Sequence, residues 1–368
     1  MKAKVALIST RPETVLDDYR RVMELADYQQ HLAPSEDLIL KLNLSWTKYF
    51  PACSSQPWQV EGVVKTLLEG GFTPENLFPL ENKTVVTDPH KGCRNNLWRP
   101  VLDRYGLTFR ALPEEEWVVR EFKGLKKLHH IFPQGIEIPR LYLGKNILHL
   151  PTVKTHGHSI TTGAIKNSFG GLLKEVRHYA HKYMHEVLHD LMVMQRELHP
   201  NVFAVMDGTV CGNGAGPRTM QPVVKNILLA SADSVAIDAV AAKLMGFDIQ
   251  SIPYLQFSDE AGLGTARIEE IEIVGEPELM GQNFGFETKK SVVIWGDQML
   301  RKGPLRFLEK IALHSPLMGW APFASNVYHD WLWYPTVGRR IIKRYNETPW
   351  GRLFQEYQRR GYLGEDSP

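Results

Sequence analysis

The sequence predicts an α/β fold, a mostly parallel sheet with helices on both faces, followed by a helical, aromatic-rich C-terminal extension. Three observations lead there. Short apolar runs alternate with stretches of helical spacing from residue 4 to residue 274. The 368 residues, 43% of them apolar, supply ample material for a core. After about residue 285 the alternation stops, and tryptophans gather among arginines and lysines. The chain therefore divides into an α/β domain, 1–285, with an insertion at about 113–140, and an extension, 286–368.

Taken in order, Lys4 to Ser9 reads as a buried strand. Glu13 to Ala26 has helical spacing, with Val15, Tyr19, Val22, Met23 and Ala26 on one face. Asp37 to Leu44 is a second strand and Gln59 to Glu69 a helix stopped by Gly70-Gly71. Asn76 to Glu81 is a strand, Arg94 to Tyr105 a helix, and Leu107 to Leu112 a strand. Residues 113–140 break the rhythm and suggest a hairpin. Alternation resumes with a strand at Tyr142 to Leu150, helices from Thr161 to about Val176 and from Tyr179 to Leu198, and strands at Asn201 to Met206 and Lys225 to Ser231. A helix at Asp233 to Met245 and a strand at Arg267 to Val274 follow. In the extension, Pro304 to His314, Val337 to Tyr345 and Trp350 to Arg360 are candidate amphipathic helices.

Composition narrows the function. A net charge of +2 makes no case for nucleic-acid binding. Three cysteines, Cys53, Cys93 and Cys211, far apart in sequence, argue against a disulfide scaffold and fit a reducing cytoplasm. No run has the apolar length of a transmembrane helix, and the N-terminus turns polar too soon for a secretory signal.

Chemistry concentrates between His149 and Gly171. There an apolar strand end meets Pro151, and Lys154, His156, His158 and Lys166 follow among hydroxyls and glycines. Thr161 or Thr162 can cap a helix whose free N–H groups face the same space. Two ammonium groups, paired imidazoles and a helix N-terminus make an anion receptor, placed where α/β folds gather ligands. Lys41 ends the second strand with Asn43 on the same face. Asp207 ends a strand before the turn Gly212-Asn213-Gly214-Ala215-Gly216-Pro217, whose glycines permit close approach to a ligand. Asp233 reads as a helix N-cap. Asp238, among apolar residues, needs a partner, for which Lys166 or Lys154 is a candidate. Glu81 is a further carboxylate of the same kind. His178, His181, His185 and His189 recur at helical spacing, either as a solvated polar face or, at His181 and His185, as ligands for a divalent metal ion.

The sequence Lys154-Thr155-His156, then Thr162-Gly163-Ala164-Ile165-Lys166-Asn167-Ser168-Phe169-Gly170, resembles the signature of the family called domain of unknown function 362. Lys41-Leu42-Asn43, Asp207-Gly208 with the glycine-rich turn, and Ala232 to Ala239 ending at Met245-Gly246 resemble its other motifs, from about residue 36 to 275. The family brings little function, being named for the lack of one; the residues themselves lead to a site in which Lys41, Lys154, His156, Lys166 and Asp207 are expected to carry the chemistry and Asn43, Thr155, Thr162, Asn167, Gly214 and Gly216 to contact substrate. Many members carry a ferredoxin-type segment, which implies redox chemistry. This chain lacks the clustered cysteines, so no intrinsic iron–sulfur cluster is expected and a separate ferredoxin-like donor is. The expected function is an enzyme acting on a small anionic molecule. The alternative is a non-catalytic ligand-binding or assembly protein whose residues 301–368 dock on a membrane surface or a protein partner. For that face the sequence offers Phe307, Ile311, Trp320, Trp331, Trp333, Ile341, Ile342 and Phe354 beside Arg339, Arg340, Lys343 and Arg344.

Overall fold

A computed structural model describes residues 2–84, 86–301, 303–304, 307 and 320–362, the side chains of 175–178, 320–322 and 362 excepted. Of the candidate helix Pro304 to His314 only Pro304 and Phe307 are described; the rest of it, Ile311 included, and the side chains of His178 and Trp320 lie outside the described residues.

Twelve strands are described: β1 (Ala3–Ser9), β2 (Leu38–Lys41), β3 (Leu77–Glu81), β4 (Arg110–Ala111), β5 (Trp117–Arg120), β6 (Ile136–Pro139), β7 (Asn146–His149), β8 (Thr152–His156), β9 (Ile160–Thr162), β10 (Val202–Ala215), β11 (Thr219–Ser231) and β12 (Ile271–Gly275). The central sheet runs β12-β1-β11-β10-β7-β2-β3-β4, with β8 paired to β10 and β9 to β8. Pairing is parallel except where β11 meets β1 and β10, and between β8 and β9. The insertion is the antiparallel β5–β6 hairpin, with a short helix at Leu128–Ile131.

Two apolar layers flank this sheet. One joins Ile39, Leu80 and Ile147 to the helices Ala164–Leu172, Met184–Leu198 and Ser234–Met245. The other joins Leu38, Leu40 and Leu148 to the helices Val15–Leu25, Pro57–Glu69 and Trp98–Arg104. Neighbouring strand residues fall into opposite layers, as the pleat requires. Trp350, Phe354 and Tyr357 of the last helix, Pro349–Tyr362, are buried in the second layer, with Trp350 5.1 Å from Trp58 between ring centroids. The extension thus packs on the body, and Trp333, Ile341 and Ile342 cover Trp46 and Phe50.

The differences from expectation have local causes. The helix expected at Arg94 to Tyr105 is two, Pro89–Asn95 and Trp98–Arg104, because Leu97 between them is left-handed at φ 60°. The stretch expected as one helix from Thr161 begins as β9, and the α-helix is only Ala164–Leu172. The next α-helix starts at Met184 after a 3₁₀ stretch, Glu175–Tyr183. Pro151 does not end pairing on this part of the sheet; it offsets β7 from β8, so Lys154, Thr155 and His156 lie on a strand. β10 continues past Met206 through an irregularity between Gly208 and Val210, so Asp207 lies within a strand and not at its end.

Candidate functional site

A cavity of about 290 Å³ opens beyond the carboxyl ends of β2 and β3. Its walls include Lys41, Asn43 and Glu81 from those strand ends, His156, His158 and Thr162 from the β8–β9 hairpin, and Lys166 and Asn167 from the following helix. Arg218 enters from the β10–β11 turn. The extension supplies Asp297, Arg301, Ser325 and His329. Its place in the sheet is the one α/β folds favour for ligands.

The lysines differ in surroundings. Lys41 and Glu81 are buried together, their side chains 1% and 4% exposed, with Nζ 2.7 Å from Oε1. Glu81 also accepts from the backbone N–H of Leu44 and of Asn82, each at 2.7 Å. Lys154 stands behind the wall. It donates to Asn43 Oδ1, to the carbonyl of Cys53 at 2.6 Å and to Ser45 Oγ at 3.1 Å, and burial pushes its ammonium down to about 8. Lys166 lines the cavity with its Nζ 4.2 Å from the centroid of the Phe169 ring.

The imidazoles are held neutral. Burial, then Lys166, His158 and Lys154, drives His156 well below the ordinary histidine value, and burial with His158 and Arg301 does the same to His181. His156 Nδ1 accepts from the backbone N–H of His158 at 3.1 Å. That bond assigns the hydrogen of the neutral ring to Nε2. His329 is pushed by burial to about 3.

Two expectations are corrected here. The N-terminus of the Ala164–Leu172 helix does not face an anion. The carboxylate of Asp238 accepts from Ala164 N at 2.6 Å and Ile165 N at 3.2 Å, so Asp238 pairs with backbone and not with Lys166 or Lys154. The N-cap is Gly163, not Thr161 or Thr162. A Cβ there would lie 2.0 Å from Asp238 Oδ1, so only glycine admits the carboxylate. Asp207 does not converge with the lysines. It accepts from Tyr19 Oη at 2.6 Å, Trp58 Nε1 at 3.1 Å and Thr209 on the opposite layer, and is absent from the cavity wall.

Of the expected substrate contacts, Asn43, Thr162 and Asn167 line the cavity. Thr155, Gly214 and Gly216 do not. Thr155 Oγ1 donates to the carbonyl of Gly214 at 2.9 Å, and a Cβ on Gly216 would sit 1.8 Å from the carbonyl oxygen of Thr155, so Gly216 lets β8 and the β10–β11 turn touch. His181 lines the cavity from the 3₁₀ stretch Glu175–Tyr183, and His185, at the start of the following α-helix, stacks on Tyr254 at 5.9 Å between centroids. Arg218, Asp297, Arg301, Ser325 and His329 were not anticipated. Only Arg218, next to the flagged turn, had a signal pointing to it.

Asp238 carries a testable pH dependence. Burial, against its two backbone hydrogen bonds, pushes its carboxyl up to about 7. The native state therefore favours the protonated acid. The group's stabilising contribution is present below the ordinary carboxylate range and is lost as pH rises through about 7. Replacing Asp238 by Asn removes this loss. Between pH 4 and pH 8 the stability of Asp238→Asn relative to wild type, from urea denaturation, should rise by on the order of 4 kcal/mol, at 1.36 kcal/mol per pKa unit. A difference independent of pH refutes the assignment.

Comparison with known proteins adds kinship. The chain is 25% identical to a thylakoid-associated protein of Synechocystis over 268 residues, 70% of this chain and 78% of that one. A crystal structure of a protein from Thermotoga maritima is similar at 10% identity and a TM-score of 0.37, over 61% of this chain and 56% of that chain. The family model described as Domain of unknown function (DUF362) matches residues 38–243, which contain β2, β3, the β8–β9 hairpin and the two helix starts that Asp238 and Asp233 cap. With more than half of its length matched, the chain belongs to the DUF362 family.

Proposed function

We propose that the protein is an enzyme that binds a small anionic substrate in this cavity, held by Lys166, Arg218, Arg301 and Thr162. One observation carries the reading. Arg218 Nη1, Arg301 Nη1 and Thr162 Oγ1 are buried atoms of wall residues, and none has a hydrogen-bond partner among the described residues. Buried donors without partners are rare and costly, and the oxygens of an anion are suited to accept from them. Lys41 adds little net attraction, since Glu81 neutralises it. His156, neutral with its hydrogen on Nε2, is suited to donate to a substrate oxygen rather than to take up a proton. The redox step with a ferredoxin-like donor rests on the family resemblance alone.

A second reading has its own observation. Trp331, Phe323 and Leu332 are 64%, 60% and 58% exposed, beside a helix, Arg339–Tyr345, whose Arg339, Arg340, Lys343 and Arg344 face solvent. Such a face suits an anionic membrane surface, in keeping with the thylakoid-associated name of the relative. No described helix is long and apolar enough to cross a membrane.

One preparation tests both. Native mass spectrometry of the full-length protein from its own host should reveal a retained small anion. Thermal shifts with phosphate and with short mono- and dicarboxylates should identify its class. Lys166→Gln with Arg218→Gln should weaken binding about 100-fold, as expected from losing two charge-assisted hydrogen bonds. A wild type that binds none of these anions, or a double variant that binds equally well, refutes the enzyme reading. Failure to sediment with anionic vesicles refutes the docking reading.

A further inference from the structure

We propose that His158, His181 and Asp297 form a binding site for one divalent first-row transition-metal ion in the wall of the cavity. The three come from separate parts of the chain: the β8–β9 turn, the 3₁₀ stretch Glu175–Tyr183 and the helix Val292–Arg301. One ligand atom from each lies within 4.8 Å of the others, and His158 Nε2 is 3.9 Å from Asp297 Oδ2. Among the described residues no other group of histidine, cysteine or carboxylate side chains meets this condition.

The distances are close to those a metal needs. At bond lengths of about 2.0–2.2 Å, tetrahedral ligand atoms lie roughly 3.4 Å apart, so binding draws these groups together by about an ångström. The surroundings already fix the set. The rings of His158 and His181 are stacked, 4.8 Å between centroids and 18° between planes, and Phe169 stacks on the other side of His181 at 6.0 Å. Arg301 Nε donates to both oxygens of Asp297 at 2.9 Å, which orients the carboxylate as the outer partners of metal ligands do. Gln298 Nε2 donates to the carbonyl of Gly157 at 3.2 Å, tying the helix that carries Asp297 to the turn that carries His158.

The chemistry of the set selects the ion. Two imidazoles and one carboxylate suit zinc, iron, cobalt or nickel, whereas magnesium and calcium call for oxygen donors. Arg301 opposes binding, because its charge offsets that of Asp297. The two nitrogen ligands must therefore supply most of the affinity. Three protein ligands leave coordination positions open, and all three residues line the same cavity. The ion would stand beside the atoms proposed to hold the anion, but its binding does not depend on that reading.

Full-length protein, stripped with a chelator and free of added anions, is titrated with Co²⁺ followed by visible absorption, and with Zn²⁺ against a chromophoric competitor. We expect one equivalent per chain. His181→Ala and Asp297→Asn should each weaken binding about 10-fold or more, and His185→Ala, with its ring on Tyr254, should change nothing. His158→Gln gives an independent answer if His181→Ala fails to fold. Absence of bound Co²⁺ and Zn²⁺ at a hundred micromolar, equal binding by Asp297→Asn and His158→Gln, or loss in His185→Ala overturns the proposal. Metal binding with no anion binding would leave this site standing and remove the substrate reading alone.

Discussion

Replacing Glu81 with Ala is expected to destabilise the protein by about 3–5 kcal/mol, the range for breaking a buried ion pair from one side. The change takes the Lys41 ammonium's carboxylate away, while its hydrogen bond to the carbonyl of Leu42 at 2.6 Å carries no compensating charge. It also removes the acceptor from the N–H groups of Leu44 and Asn82. Urea denaturation measures the loss. The double variant Lys41→Met/Glu81→Leu should recover the part of the loss due to the uncompensated Lys41 charge, but not the part due to the N–H groups of Leu44 and Asn82, which still lack their acceptor. A single-variant loss below about 1 kcal/mol would mean that the pair is hydrated in the native protein. The prediction also bears on mechanism. A lysine locked to a carboxylate at a strand end shapes the cavity floor and holds β2 to β3, and it contributes little free charge to a ligand.

The second large effect is expected at Asp207. Asp207→Ala removes the acceptor of Tyr19 Oη and of the amide and hydroxyl of Thr209, and leaves Trp58 Nε1 only its 3.3 Å bond to Thr209 Oγ1, all in the buried layer under Trp350. At roughly 1 kcal/mol or more for each buried group left unpaired, the loss should reach about 3–4 kcal/mol. Asp207→Asn keeps one acceptor and should lose markedly less. Anion affinity of the folded Asp207→Asn protein should equal that of wild type. A selective loss of anion binding without loss of stability would return Asp207 to the functional site.

Legibility in the sequence followed the range of the interaction. The strands Ala3–Ser9 and Leu77–Glu81, the helix Val15–Leu25 and the cap Asp233 rest on local period and capping chemistry, and each appears within a residue or two of its expected bounds. Leu97 was invisible because a left-handed leucine has no compositional sign. Asp207 looked like a strand end because Gly208 follows it, yet pairing with β11 carries the strand onward. In the candidate site, the family-like stretch pointed to His156, Lys166 and Asn167, all of which line the cavity. Asp297 and Arg301 were not legible. An acid and an arginine four apart on a helix usually mark a solvent-facing pair, and only tertiary packing turns this one toward the cavity. His181 and His185 read as helical neighbours, but His181 lies on a 3₁₀ stretch, whose angular spacing differs from that of the α-helix carrying His185.

The far wall of the cavity, from Ser291 to His329, and the plug that Trp350, Phe354 and Tyr357 set over Trp58 have a consequence for biogenesis. A ribosome releases the strands of the sheet long before these residues. At about 5–20 residues per second, the interval between Ser231 and Trp350 is on the order of ten seconds. During that time the nascent chain exposes the tryptophan-lined layer and for part of it lacks Asp297 and Arg301 of the wall. A half-made chain is thus sticky until the last helix docks over that layer.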